Sequence, residues 1–267
     1  MKSGARPHYR APGEVGRVLQ REMERNTVLQ KVSAGYSACA ACADLGLPGD
    51  SNRVRFAALA RSYLPSRVRV LFVAESAPAR NKRGRDSFFF LPEDDPKTQD
   101  RSVLFWEMAK VLELAEVGSA TAVSKQRLLA EFSGRGLWLL DSAKCAVNGL
   151  DEGRRRNSVL TRCSAMWLRH ELEALQPERV VLIKTNIFRV LRPLLEDWGW
   201  GARILNQRSI PHPGHGHQKE FNELLGSMVR ANPTLFGISA TRRDQRRLAV
   251  RTNRATARVP TVESRAR

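Results

Sequence analysis

GLWLLDSAKCAVN, running from Gly136 to Asn148, opens on four apolar residues, Leu137 to Leu140, and turns polar at Asp141, Lys144, Cys145 and Asn148. A short run of this composition is what fills a strand buried on both faces. Open α/β sheets bind their ligands outside the carboxyl ends of such strands. The segment therefore predicts a central strand whose polar end faces a site.

Working outward, Val68 to Val73 (VRVLFV) and Arg179 to Ile183 (RVVLI) have the same short, branched character and predict two more buried strands. A weaker strand is expected near Ala202 to Leu205. Helical patterning falls at 18–28, 56–63, 102–117, 158–175, 186–198 and 218–231. Leu104, Met108, Val111 and Ala115 form one buried stripe, and Phe221, Leu225 and Met228 another. Strands alternating with helices imply a mostly parallel central sheet in a three-layer α/β/α arrangement. No internal repeat is present. The expected organisation is a basic N-terminal arm over 1–31, one α/β domain over 32–232, and a basic, disordered tail over 233–267.

The 267 residues carry a formal net charge of +18. From Thr241 onward nine arginines face only Asp244 and Glu263, and the rest of the chain is still basic. Such a surplus suits a polyanion gripped through its phosphates; a merely high-pI protein is the plainer reading. No apolar stretch approaches the ~18 residues of a membrane span, and the N-terminus lacks the apolar core of a secretory signal. A cytoplasmic location is expected, with no membrane partner and a monomeric state. In that compartment four cysteines point to metal or chemistry more than to disulfides.

Three constellations carry chemistry. Cys39-x-x-Cys42 with the separated Cys145 and Cys163 makes a complete four-thiolate set, used by iron–sulfur clusters and by structural zinc; small cysteines simply packed in a core are the alternative. Glu75 and Ser76 follow the Val68 to Val73 strand and lead into the basic loop ARNKRGRD, with Lys82, Arg83 and Arg85, and then into Phe88, Phe89 and Phe90. A carboxylate there can position a water or stabilise positive charge, and rings beside a basic loop can stack a nucleobase. They can equally be core, with Glu75 a helix cap. Finally, Pro and Gly hold His212, His215 and His217 on a stiff loop. His212 could share a cleft with Glu75, while His215 and His217 suit solvent or phosphate.

The order of these features, CxxC, a strand ending in AES, an aromatic loop, KC, a further cysteine, a strand and HP, resembles the uracil-DNA glycosylase superfamily, and most of all its iron–sulfur branch, family four. The likeness covers about Cys39 to Leu225. Ala74-Glu75-Ser76-Ala77-Pro78 loosely matches that branch's GEAPG turn, keeping the Glu but replacing its first Gly and its Pro by alanines. Asp141-Ser-Ala-Lys-Cys145 corresponds to NVVKC, and His212-Pro213-Gly214 to HPS.

The resemblance implies a DNA glycosylase holding a 4Fe-4S cluster on Cys39, Cys42, Cys145 and Cys163, with zinc as the lesser option. It further implies Glu75 and His212 as catalytic groups, and Asp141, Phe89, Phe90 and Ser76 around the flipped base. Lys82, Arg83, Arg85 and His215 would lie on the DNA backbone. One departure matters. The family's Asn amide both accepts from uracil N3–H and donates to O4, whereas an ionised Asp141 only accepts. A repelled buried polar group costs about 1–3 kcal/mol, one to two decades of discrimination. Either Asp141 is protonated, or another base is preferred, or activity is weak. A non-catalytic nucleic-acid-binding protein on the same scaffold is the alternative.

Overall fold

The computed structural model describes residues 12–47, 52–78, 87–92, 102–114, 124–147, 149–150 and 153–238. At its centre are three parallel strands, β1 (Val70–Ser76), β2 (Leu137–Ala143) and β3 (Arg179–Leu182), in the order β2-β1-β3. β1 pairs with β2 from Val70↔Leu137 to Ser76↔Ala143, and with β3 from Val70↔Arg179 to Val73↔Leu182. Burial on both faces explains why these runs lack alternation: β1 is buried from Val70 through Glu75.

Pairing carries both β1 and β2 past their apolar runs. Ala74 lies opposite Asp141, and the Ser142 hydroxyl donates to the Glu75 carbonyl at 3.1 Å. Glu75 and Asp141 are therefore held on strands and not on loops. The expected weak strand is corrected: Gly201–Arg203 is a 3-10 turn, followed by a single bridge, Val180↔Ile204. A second bridge, Ile183↔Ile210, brings the His212 loop to the β3 end of the sheet.

Helices cover the sheet: α1 (Pro12–Gly35), α2 (Asn52–Ser62), α3 (Val103–Val111), α4 (Lys125–Gly134), α5 (Arg154–Cys163), α6 (Arg169–Leu175), α7 (Thr185–Asp197) and α8 (Gln218–Ala231). α5 passes into α6 through one π turn, Ser164–Leu168, a local widening frequent at functional sites. α4 has no counterpart in the sequence reading; Ser124 caps it by accepting from the Arg127 N–H, and it buries Leu128, Leu129 and Phe132.

α1 packs against α6 and α2, and Leu29 and Tyr36 reach the core. At the other end Phe236 is fully buried, 6.3 Å from the Phe72 ring, so packed structure runs on to Ile238. No helix among the described residues is long and apolar enough to cross a membrane.

Candidate functional site

Glu75, at the carboxyl edge of β1, is buried and held from three directions. The Lys184 ammonium donates to its Oε2 at 2.5 Å, the Asn186 amide donates to Oε1, and Arg156 Nη1 lies 3.7 Å from Oε1. Lys184 joins β3 to α7 with φ 85° and ψ 139°. Its N–H donates to the Ile210 carbonyl at 2.6 Å, which ties this corner to the His212 loop.

In that loop His212 Nδ1 accepts from the Gly214 N–H at 3.0 Å, so a neutral ring carries its proton on Nε2. Burial in the cleft, then the cations of Lys184 and His215, lower the imidazole to about 4, with Glu75 opposing. The His212 side chain also reaches the surface. His215 is exposed, with φ 55°.

Asp141 lines a small cavity of about 60 Å³ together with the apolar Phe56, Phe88, Phe90, Trp138 and Ala77 and the polar Tyr36, Arg53, Lys144 and Glu171. Burial raises its carboxyl to about 7, Glu171 and Glu75 add to the rise, and Lys144 opposes it. Lys144 Nζ donates to the Asp141 carbonyl at 2.6 Å and to Glu171 Oε2 at 2.6 Å, and the Tyr36 hydroxyl donates to Glu171 Oε1. Burial and Glu171 hold the Tyr36 phenol well above its usual range, so it remains a donor. Phe56 stacks on Phe88 with centroids 4.3 Å apart and planes at 22°. Apolar cavities that accept benzene measure ~150 Å³; this one is smaller because its own aromatic pair fills it.

All three rings of the Phe run are buried. Phe88 and Phe90 line the cavity, whereas Phe89 turns into the core, edge-on to Phe105 at 5.2 Å and tilted on Phe132 at 5.5 Å. Ser76 Oγ accepts from the Val147 N–H at 3.4 Å, which ties β1 to the loop after β2. Lys82, Arg83 and Arg85 lie outside the described residues.

The four cysteines, from the loop after α1, the end of β2 and the end of α5, line one cavity of about 10 Å³ together with Tyr36, Arg53, Lys144 and Trp167. All are free thiols. The Lys144 N–H donates to Cys163 Sγ at 3.2 Å, and Arg53 Nη1 donates to Cys145 Sγ at 3.4 Å. Burial pushes the Cys163 thiol up to about 12 and raises Cys42 as well. Such thiols ionise readily only when a metal's charge replaces the proton.

No set of three or more His, Cys, Asp or Glu among the described residues is arranged around a single ion. Cys39, Cys42, Cys145 and Cys163, gathered round this one cavity, are the residues that could hold a metal group. The CxxC loop is itself braced from α5. Arg162 binds Asp44 at 2.7 Å, and a Cβ on Gly46 (φ 78°) would stand 2.7 Å from Arg155 Nη2.

Sequence reasoning missed Lys184, Asn186, Arg156, Tyr36, Arg53 and Glu171. The strand-edge rule that singled out Asp141 applies equally to Lys184-Thr185-Asn186 after RVVLI, so that signal was present. Tyr36 and Glu171 have no local signal, because only folding makes them neighbours. No family model matches the chain, and neither the curated proteins nor the solved structures include a match.

Proposed function

We propose that the protein is a DNA glycosylase that turns a damaged or deaminated base out of the helix and hydrolyses its N-glycosidic bond. The observation that carries this reading is placement: Glu75 at the end of β1, Asp141 on β2 beside its partner Ala74, and the His212 loop bridged to β3 through Ile210 all lie at the carboxyl end of one parallel sheet.

In this mechanism the extruded base enters the Asp141 cavity after Phe56 yields its place against Phe88. Phe88 and Phe90 stack on the base while the Asp141 carboxyl reads its edge. As the bond stretches, negative charge grows on the base and positive charge on the sugar. His212 donates its Nε2–H to the base's oxygen, the preorganised stabilisation that contributes most to such steps. Glu75, both of whose oxygens are already engaged, acts on the sugar cation as a fixed negative charge; a water adds to C1′ of that cation, and the proton it loses passes by solvent to the anionic base. Cys39, Cys42, Cys145 and Cys163 would hold a 4Fe-4S cluster, which would tie the CxxC loop, β2 and α5 together structurally, with no redox step. The partner is DNA, reached by a cytoplasmic monomer.

The test is release of base from uracil-, hypoxanthine- and xanthine-containing oligonucleotides, read as strand breakage after alkali. Breakage of at least one strand supports the reading; intact strands across the panel overturn it. A brown protein with broad visible absorbance supports the cluster, and a colourless one containing zinc removes it. A non-catalytic nucleic-acid-binding role is the second reading, favoured by the fully engaged Glu75 and the narrow cavity. It predicts oligonucleotide binding without breakage.

A further inference from the structure

We propose that Lys184 is a positioning residue: its ammonium fixes the Glu75 carboxylate at the sheet edge, and its backbone N–H ties that corner to the loop that carries His212. Its role at the reacting bond rests on the glycosylase reading; the arrangement of the three side chains does not.

The backbone is the first argument. Among the described residues four non-glycine residues have positive φ, and Glu113, Gln176 and His215 sit at 46–55°, near the small left-handed well. Lys184, at φ 85° and ψ 139°, lies outside that well, close to a region essentially reserved for glycine. Strain of this kind persists where the surroundings over-determine it. Here the Lys184 N–H is bound to the Ile210 carbonyl at 2.6 Å, and its carbonyl accepts from the Phe188 N–H at 3.0 Å in the first turn of α7. Glycine would take this conformation without strain. What lysine adds is an ammonium.

That ammonium is the second argument. It reaches back across the sheet edge to Glu75 Oε2 at 2.5 Å, with its side chain only 27% exposed. The same hydrogen bond to Ile210 that pins the Lys184 backbone anchors the chain two residues before His212. One residue thus links the carboxylate to the loop that carries the imidazole.

The groups facing this corner are Asn186 from α7, Arg156 from α5, Asp141 from β2, and His215 within the histidine loop. Asn186 is neutral, and Arg156 stands farther off at 3.7 Å. Lys184 therefore supplies the closest positive charge on Glu75 among these groups, and its charge also acts on His212.

Full-length Lys184→Met, Lys184→Gly and Lys184→Arg proteins test this, with the His212 ring resonance assigned by its loss in His212→Gln. In the wild type the His212 titration midpoint should lie below the free-histidine value of ~6.5. Lys184→Met and Lys184→Gly should raise it by about one pH unit, since a like charge at close range shifts a neighbour by ~1–3 units, while Lys184→Arg should hold it. On an oligonucleotide the wild type cleaves, Lys184→Met should lose about tenfold in kcat with KM within about threefold, the pattern of an interaction felt mainly in the transition state.

A His212 midpoint unmoved in folded Lys184→Met and Lys184→Gly overturns the inference. Should Lys184→Met fail to fold, Lys184→Gly, which relieves the backbone, carries the test alone. A wild type that cleaves nothing removes the glycosylase reading only, and the titration still decides for or against Lys184.

Discussion

The cavity walled by four cysteines and the cavity lined by Asp141 share Tyr36, Arg53 and Lys144, yet they are built on opposite principles. The first gathers thiols from remote parts of the chain and offers them two N–H donors, with Cys42 and Cys163 buried and their thiols held up by that burial. The second is closed by its own apolar residues, Phe56 against Phe88, over a carboxyl that burial keeps reluctant to ionise. Lys144 stands between, bound to Glu171 on one side and to the Asp141 carbonyl on the other.

The largest effect should come from the cysteine side. Cys163→Ser is expected to abolish visible absorbance and to lower unfolding free energy by more than about 5 kcal/mol, since binding energy at a structural metal site is folding energy. Iron content and urea unfolding measure it, and retention of both stability and colour would detach Cys163 from any cluster.

Next is the shared wall. Lys144→Met leaves Glu171 buried with only the Tyr36 hydroxyl and should cost about 3–5 kcal/mol, the usual penalty for stranding one partner of a buried pair. A loss below about 1 kcal/mol would mean the two cavities are energetically independent.

On the aromatic side Phe56→Ala should cost about 3 kcal/mol, as large-to-small core changes do, while leaving iron content unchanged. Loss of iron would show that the cavities are coupled more tightly than Lys144 alone implies.

The smallest and most informative change is Asp141→Asn. A carboxyl raised to about 7 from an unfolded value near ~3.9 holds its proton more tightly when folded. Its contribution to stability is therefore full below about pH 4 and declines as pH rises to about 7. Asp141→Asn should flatten that decline in a series of denaturation curves from pH 4 to 8, and should gain uracil release by about one to two decades. If neither change appears, Asp141 does not read the base.

Much of this was legible in the chain. The runs at 68–73, 137–140 and 179–183 identified the three strands because burial on both faces leaves nothing but apolar residues. The edge rule made Asp141 and Glu75 candidates before any coordinates. α4 escaped because Leu128, Leu129 and Phe132 are too few to impose a period on a polar segment. Phe89 and Phe90 were expected beside the base, yet Phe88 and Phe90 line the cavity and Phe89 packs on Phe105 and Phe132, since adjacent rings are chemically identical and only the direction of each side chain separates the cavity wall from the core.

Local composition was enough to specify a parallel α/β core, a four-thiolate set and a polar strand edge, because each is written in neighbouring residues. Folding alone could put Lys184 on Glu75, Tyr36 and Lys144 on Glu171, and the CxxC loop under α5. Those contacts join residues from about 27 to more than 130 positions apart. Such pairings are set by how strands register and helices dock, and no short window of sequence encodes that.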